Sequence, residues 1–436
     1  MLFSNVSCHV SWTFPPARKY DLDFLDTART KSKCGMERGE LFTDLVAGDT
    51  INVTWHLGYV HNGGFKIELL DSNEKHVKDL TPVGKFVGDP SKKEAVTDYE
   101  LKIPDDAVCK KCTLRLIRQA KEWGSSYKFK SCADINIISS DETNNQCSGH
   151  GQAETNNACK CQKLYYGKFC QFKNDCDDDN DCNNQGRCIE GKGSSHPKKE
   201  CFCQLGFHGQ NCEKPSALGT KYYNKTEYHE VIMSRRGSFK FFWRFVNGSE
   251  LEGVMVAATT SFVSIGWRPA DLTTNCRNFP FDAPAPNIKG NPLHAMDCQD
   301  IVVAKVKGNL SNVGDYYTRD RSTPRKDVVY GGHDDLTAAV GWEDGGETTV
   351  MFRKRIKGVK DLGKQDHEFN GRMNLIWAVG QAGNEFYQDD ELKYHSSGRG
   401  QRTIEVNGAV RTMPIPKNDI TFFTSMSLIF LLNRST

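Results

Sequence analysis

The chain has 436 residues, enough for two or three domains. Its 57 basic residues are matched by 55 acidic ones, so no basic excess exists to displace counterions, and composition argues against a nucleic-acid partner. No apolar run is long enough to span a bilayer as a helix, and 17 cysteines mark a chain made for an oxidising compartment.

Met1 to Cys8 is too short for a secretory signal with its own apolar core, yet Val6-Ser7-Cys8 has the small-residue character of a cleavage site. Residues 1–8 therefore read as the remnant of a signal peptide in a truncated gene. Losing Cys8 leaves 16 cysteines, an even number. Cleavage there makes His9 the first residue, whose free α-amine and one imidazole nitrogen can hold the same metal. A second imidazole completes a three-nitrogen, roughly T-shaped set, which suits Cu(II). The best second histidine is His61, in Tyr59-Val60-His61-Asn62-Gly63-Gly64, where a turn follows a strand. His56, inside that strand, is the weaker candidate.

Residues 9–138 read as all-β. Alternating or β-branched runs recur at Thr50–His56, Phe65–Leu70 and Thr113–Arg118, broken by Asn62-Gly63-Gly64 and Pro104-Asp105-Asp106. Cys34, Cys109, Cys112 and Cys132 can form two bridges, whose pairing spacing does not fix. The opening His9-Val-Ser-Trp-Thr-Phe-Pro-Pro-Ala-Arg18, with Cys109-x-x-Cys112-Thr-Leu-Arg and Tyr127-Lys-Phe129-Lys-Ser-Cys132-Ala-Asp134-Ile, resembles lytic polysaccharide monooxygenases and their copper-binding relatives. The resemblance implies copper at His9 and His61, with Phe129, three residues before the cysteine, on the axial side of the metal. Some relatives carry copper without catalysis. The segment is short for that family, so the loops that grip a flat polysaccharide are expected to be reduced.

Ten cysteines fall between Cys147 and Cys212. Six of them, Cys176, Cys182, Cys188, Cys201, Cys203 and Cys212, occupy under forty residues, too little chain for an apolar core, so covalent staples must hold residues 174–213. Arithmetic alone allows fifteen pairings. The paired C-x2-C knuckles of a zinc cluster are absent. The C-x-C pair and Gly206-Phe207-His208-Gly209 resemble an epidermal-growth-factor-like (EGF) module, which implies 176–188, 182–201 and 203–212. Cys147, Cys159, Cys161 and Cys170 resemble the same module without its first and third cysteines, which implies 147–159 and 161–170 within residues 147–170. The acidic run Asp175–Asp181 lacks the patterned ligands of calcium-binding EGF modules and reads as a solvated loop. The whole segment 147–214 reads as a stapled linker.

Residues 220–406 alternate again, at Ser238–Phe245, Gly253–Ala258, Phe262–Trp267, Asp300–Val306, Thr348–Arg353 and Asn374–Val379. Val263-Ser-Ile-Gly266-Trp267, His294-Ala-Met296-Asp297-Cys298-Gln299-Asp300, Asp315-Tyr-Tyr-Thr-Arg-Asp320, Ile376-Trp377-Ala378-x-Gly380 and Tyr394-His395-x4-Gly400 resemble a DOMON domain. The resemblance implies a β-sandwich and, in haem-binding members, axial ligands that fall on Met296 and His395; other members bind sugars or partners. Thioether and imidazole together are a sensible electron-transfer ligand set for haem b. Cys276 and Cys298 are expected to bridge beside Met296.

Residues 407–436 form a tail. Asn407-Gly408-Ala409, a polar spacer and the apolar run Thr421–Leu432 have the layout of a glycolipid-anchor signal. Sequons at Asn52, Asn224, Asn247 and Asn309 fit a secreted glycoprotein. The expectation is a mainly β chain, two β-sandwiches joined by disulfide-rich EGF-like modules. Its function is read as an extracellular or cell-surface redox protein, a possible copper-dependent polysaccharide monooxygenase with a DOMON electron donor. The alternative is a non-enzymatic matrix or surface protein whose modules bind glycan or protein.

Overall fold

The computed structural model describes residues 10–18, 33–34, 38, 42–57, 60–89, 91–93, 95–124, 127–139, 147, 149–154, 159–167, 170, 172–191, 197–279, 292–319, 323–359, 364–380, 395 and 398–406. His9, Cys8 and the tail 407–436 lie outside them. The chain is mainly β.

In the first segment, strands β1 (Val10–Phe14), β3 (Thr50–Leu57) and β6 (Asp98–Lys102) form one sheet. Strands β2 (Thr43–Val46), β8 (Lys128–Ile138), β7 (Cys109–Gln119), β4 (Phe65–Leu70) and β5 (His76–Asp79) form a second, in that order. Alternation sends one face of each inward. Trp12, Val53, Trp55 and Leu101 of the first sheet meet Ile67, Leu114, Leu116, Phe129 and Ile135 of the second in one buried core. Cys34–Cys132 and Cys109–Cys112 resolve the pairing that spacing left open. The resemblance motifs also meet: Arg18 Nε and one terminal nitrogen bond both oxygens of Asp134, at 2.8 and 2.7 Å, with both side chains buried.

The cysteine-rich stretch closes 147–159, 161–170, 176–188, 182–201 and 203–212, the same pairs that the EGF resemblance implies. It differs from a linker in how it docks. Cys159 and Phe172 pack on the first core. The hairpin Gly186–Glu190/Lys199–Cys203 instead joins the sheet of the last segment, where Cys203 pairs with Ser311. Buried Glu200 and Lys305 form an ion pair across that seam, and Asn312 Nδ2 donates to Cys201 O at 2.9 Å. Backbone hydrogen bonds and buried charge make this module part of the sandwich. The acidic run is also less solvated than expected: Asp178 and Asp181 close a capping box on the turn Asp179–Cys182, and Asp177 accepts from Leu164 N at 2.9 Å.

The last segment pairs two larger sheets. One runs from that hairpin through Leu310–Thr318, Gln299–Lys307, Val263–Pro269, Gly371–Val379 and Arg399–Val406; the other contains His229–Ile232, Phe239–Val246, Glu250–Ala257, Glu347–Arg355 and Leu336–Asp344. Phe239, Phe241, Met255 and Phe352 pack against Val263, Ile265, Trp267, Val302 and Leu375 between them. Cys276–Cys298 closes as expected. The eight disulfides among the described residues point to an oxidising, extracellular or secreted environment. Among the described residues no helix is long and apolar enough to cross a membrane.

Candidate functional site

The turn after β3 carries His61, and the end of β7 fixes it. The buried Arg118 guanidinium donates to the carbonyls of His61 (3.0 Å), Gly63 and Gly64 (3.1 Å). Gln119 Oε1 accepts from Gly64 N at 3.1 Å, and Lys121 N donates to Asn62 O at 3.0 Å. The turn needs its glycines. A Cβ on Gly64 would lie 2.1 Å from Val87 O, and Gly63 sits at φ +117° with Gln119 Cβ in the way.

Within this frame His61 is buried, and its Nδ1 lies 2.7 Å from Glu122 Oε1. The other oxygen of Glu122 accepts from Asn62 N at 2.9 Å. Burial pushes the Glu122 carboxyl up, but the bonds from His61 and the backbone outweigh it and hold it below the usual carboxylate range. An ionised carboxylate only accepts, so Nδ1 carries a proton, and in the neutral imidazole Nε2 is the nitrogen with the lone pair. A histidine whose second nitrogen is held by a carboxylate is the arrangement that orients metal-binding imidazoles. Phe129, opposite Arg118 in the β7–β8 register, stacks on His61 with ring centroids 5.4 Å apart and planes 18° from parallel. The fold therefore brings His61 and Phe129 together across 68 residues of sequence.

His9 itself is outside the described residues. Its neighbour Val10 pairs with Leu57, four residues before His61, and Trp12 N donates to Ser131 Oγ at 2.9 Å, two residues after Phe129. Strand β1 thus runs beside both segments. His56 is buried within β3, opposite Ser11.

The candidate haem ligands sit on a different sheet. Met296 lies in the turn before Gln299–Lys307 and packs on Ile301, Val303, Tyr316 and Ile376, the sheet face turned away from the inter-sheet core. That turn is fixed from beneath: Arg277 Nε bonds buried Asp297 at 2.7 Å, which also accepts from His294 N at 2.7 Å. His395 precedes Arg399–Val406, and its carbonyl accepts from Gly398 N at 2.8 Å. Arg399 pairs with Ala378, whereas Gln299–Lys307 begins near the Met373 end of the same sheet. Strand register thus sets the first residues of Gln299–Lys307 and of Arg399–Val406 toward opposite ends of the sheet; Met296 and His395 lie in the turns before them.

The four sequon asparagines, Asn52, Asn224, Asn247 and Asn309, are all exposed.

Sequence reasoning passed over two features. Glu122 and Arg118 carry no motif, since a charged residue near a turn is ordinarily solvated. A buried ionic cluster at one end of the second core was also missed. Lys354 Nζ lies 2.6, 2.5 and 2.7 Å from carboxylate oxygens of Asp300, Asp315 and Asp366, all four side chains being buried. The available signal was parity: Lys354 alternates with Val350 and Phe352, and Asp300 with Val302 and Ala304, so each points inward. Comparison of the chain with protein-family models and with curated proteins gives no match.

Proposed function

We propose that the chain is an extracellular redox protein whose first sandwich holds copper through His9 and His61 and acts on a polysaccharide. In this reading the copper-binding segment is a relative of the lytic polysaccharide monooxygenases, the cysteine-rich modules are EGF-like, and the last sandwich is a DOMON domain. The observation that carries the reading is the oriented imidazole of His61, with its Nδ1 on Glu122 and its ring on Phe129. Copper would supply one-electron redox chemistry there. Glu122 holds the proton at Nδ1 and so reserves Nε2 for the metal, while Phe129 covers one side with an apolar ring that offers no competing ligand. Nitrogen donors with an aromatic neighbour fit Cu(II) better than a hard, oxygen-seeking ion. The exposed sequons would carry glycans, and the tail would supply a glycolipid anchor.

The second sandwich would bind haem b through Met296 and His395 and donate electrons, with tethering raising the donor's local concentration. One observation favours a different role for that half. The Cys276–Cys298 bridge, two residues from Met296, stiffens that turn, which suits a sandwich that binds glycan or protein without haem. That is the non-enzymatic matrix or surface protein.

Secreted protein that begins at His9 should bind one Cu(II), and a form with one extra residue ahead of His9 should bind it more weakly. Equal binding by the two forms would remove the copper reading. Purified holoprotein should show a haem Soret band that changes on Met296→Ala or His395→Ala; its absence leaves the binding role for the second sandwich.

A further inference from the structure

The bridge Cys109–Cys112 stands apart among the eight disulfides of the described residues. It joins cysteines 3 residues apart, whereas the other seven span 9 to 98. A cross-link stabilises mainly through the chain freedom it removes from the unfolded state, which grows with the loop it closes. This bridge therefore contributes least. Nor does the folded backbone depend on it. It spans a bulge at the start of β7, where Cys109 pairs with Ile137 and Cys112 with Ile135, so the ladder continues on either side. Hydrogen bonds fix the bulge itself: Lys111 N donates to Asn136 Oδ1 at 2.9 Å, and Lys111 O accepts from Arg38 Nη1 at 2.7 Å.

The surroundings favour sulfur exchange. Cys109 is partly exposed and follows Val108, which is 60% exposed, whereas Cys112 is only 1% exposed. Cys109 is thus the more open of the pair. Between them lie Lys110 and Lys111, both exposed, with the Arg38 guanidinium bound to the same bulge. The attacking species in disulfide exchange is a thiolate, and positive charge both draws it in and stabilises the thiolate that leaves. Exposure alone does not single out the site, since Cys159, Cys161, Cys188 and Cys276 are partly exposed as well. Their bridges close longer loops, and the first three staple segments too small to have an apolar core of their own.

We propose that Cys109–Cys112 is a thiol-exchange site, opened in the folded protein by a dithiol reductant of the thioredoxin class. A thiolate of the reductant attacks Cys109 Sγ, the Cys109–Cys112 bond breaks, and Cys112 leaves as a thiolate that takes a proton from water. The reductant's second thiolate then attacks its own sulfur in the mixed disulfide and releases Cys109, which is protonated in turn. Two electrons pass from the dithiol, which becomes a disulfide, to the cysteine pair. The site is independent of the copper and haem readings, because none of its residues serves either.

The test incubates the secreted full chain, without denaturant, with reduced thioredoxin. New thiols are trapped with iodoacetamide and located by peptide mass. Cys109 and Cys112 should be labelled at least about tenfold faster than any other cysteine, since the remaining bridges close longer loops or are more deeply buried. The melting midpoint of the reduced form should stay within about 5 °C of the oxidised one. The double variant Cys109→Ser, Cys112→Ser should be secreted, melt within that same interval and lose the fast labelling. Earlier labelling of another pair, or no labelling in folded protein, overturns the proposal. So does a double variant that cannot be secreted, because the bridge would then be a structural staple.

Discussion

The two sandwiches differ in the most crowded charge that each buries. In the first, Arg18 answers Asp134 through its Nε and one terminal nitrogen and Glu74 through the other terminal nitrogen at 2.6 Å, so a guanidinium fork is matched to its acceptors. In the second, a single ammonium faces several carboxylates. The matched pair needs nothing beyond the chain and reads as architecture. The mismatched cluster favours protonated carboxyls, so it makes the second sandwich responsive to acidity. Donor chemistry divides the same way, with imidazole at the turn of the first sandwich and hard oxygens in the second.

The sharpest way to break this comparison is to remove each cation. Lys354→Met should destabilise by about 5 kcal/mol or prevent secretion, because it strands several buried carboxylates. Arg18→Met strands mainly Asp134 and should cost about 3 kcal/mol by urea unfolding. Equal losses would mean that the surplus charge is not felt.

Acidity should separate the two sandwiches next. Burial first, opposed by Lys354 and reinforced by Asp366, raises Asp315 to about 7, and burial raises Asp300 and Asp327 as well. A carboxyl raised in the folded state stays protonated while the unfolded chain ionises. Its contribution is therefore full below about pH 4 and is lost as pH rises toward 7. Stability of the second sandwich should fall across that window, by up to about 4 kcal/mol for Asp315 alone. Asp79 of the first sandwich behaves in reverse. Hydrogen bonds from Gly84 N, His76 and Lys66 overcome its burial and hold it at about 2, so its contribution is lost only as pH falls below the unfolded value toward 2. Melting curves followed from pH 4 to 7 would show the contrast, and a flat profile would contradict it.

A smaller effect is expected at the histidine turn. Glu122→Gln keeps the shape but removes the charge that orients His61, and should weaken Cu(II) binding about 10- to 100-fold with little change in melting. An unchanged affinity would make Glu122 merely structural.

Much of the fold is legible in the sequence. Phe65–Leu70 is a strand with the expected bounds, and Thr50–His56 extends by one residue. Strong alternation and Gly-Gly or Pro-Asp punctuation make those elements local facts. Strands such as Thr43–Val46 and Asp98–Lys102 pass unnoticed because their exposed positions blur the alternation, and partners from afar define them. The union of Lys199–Cys203 with Leu310–Thr318 is equally illegible, since a single ladder contact and a buried ion pair leave no pattern along the chain. At the site, His61 and Phe129 could be picked out because motifs mark them. Glu122 could not, because only the folded turn brings it to the imidazole.

The central claim, that His61 is the imidazole which completes a copper site with His9, is tested most directly by Cu(II) titration with electron paramagnetic resonance on protein that begins at His9. His61→Ala should abolish the tight one-to-one complex and change the nitrogen coupling, while His56→Ala, altering a histidine inside β3, should leave the spectrum as in wild type. Loss of the complex in His56→Ala with retention in His61→Ala would contradict the account.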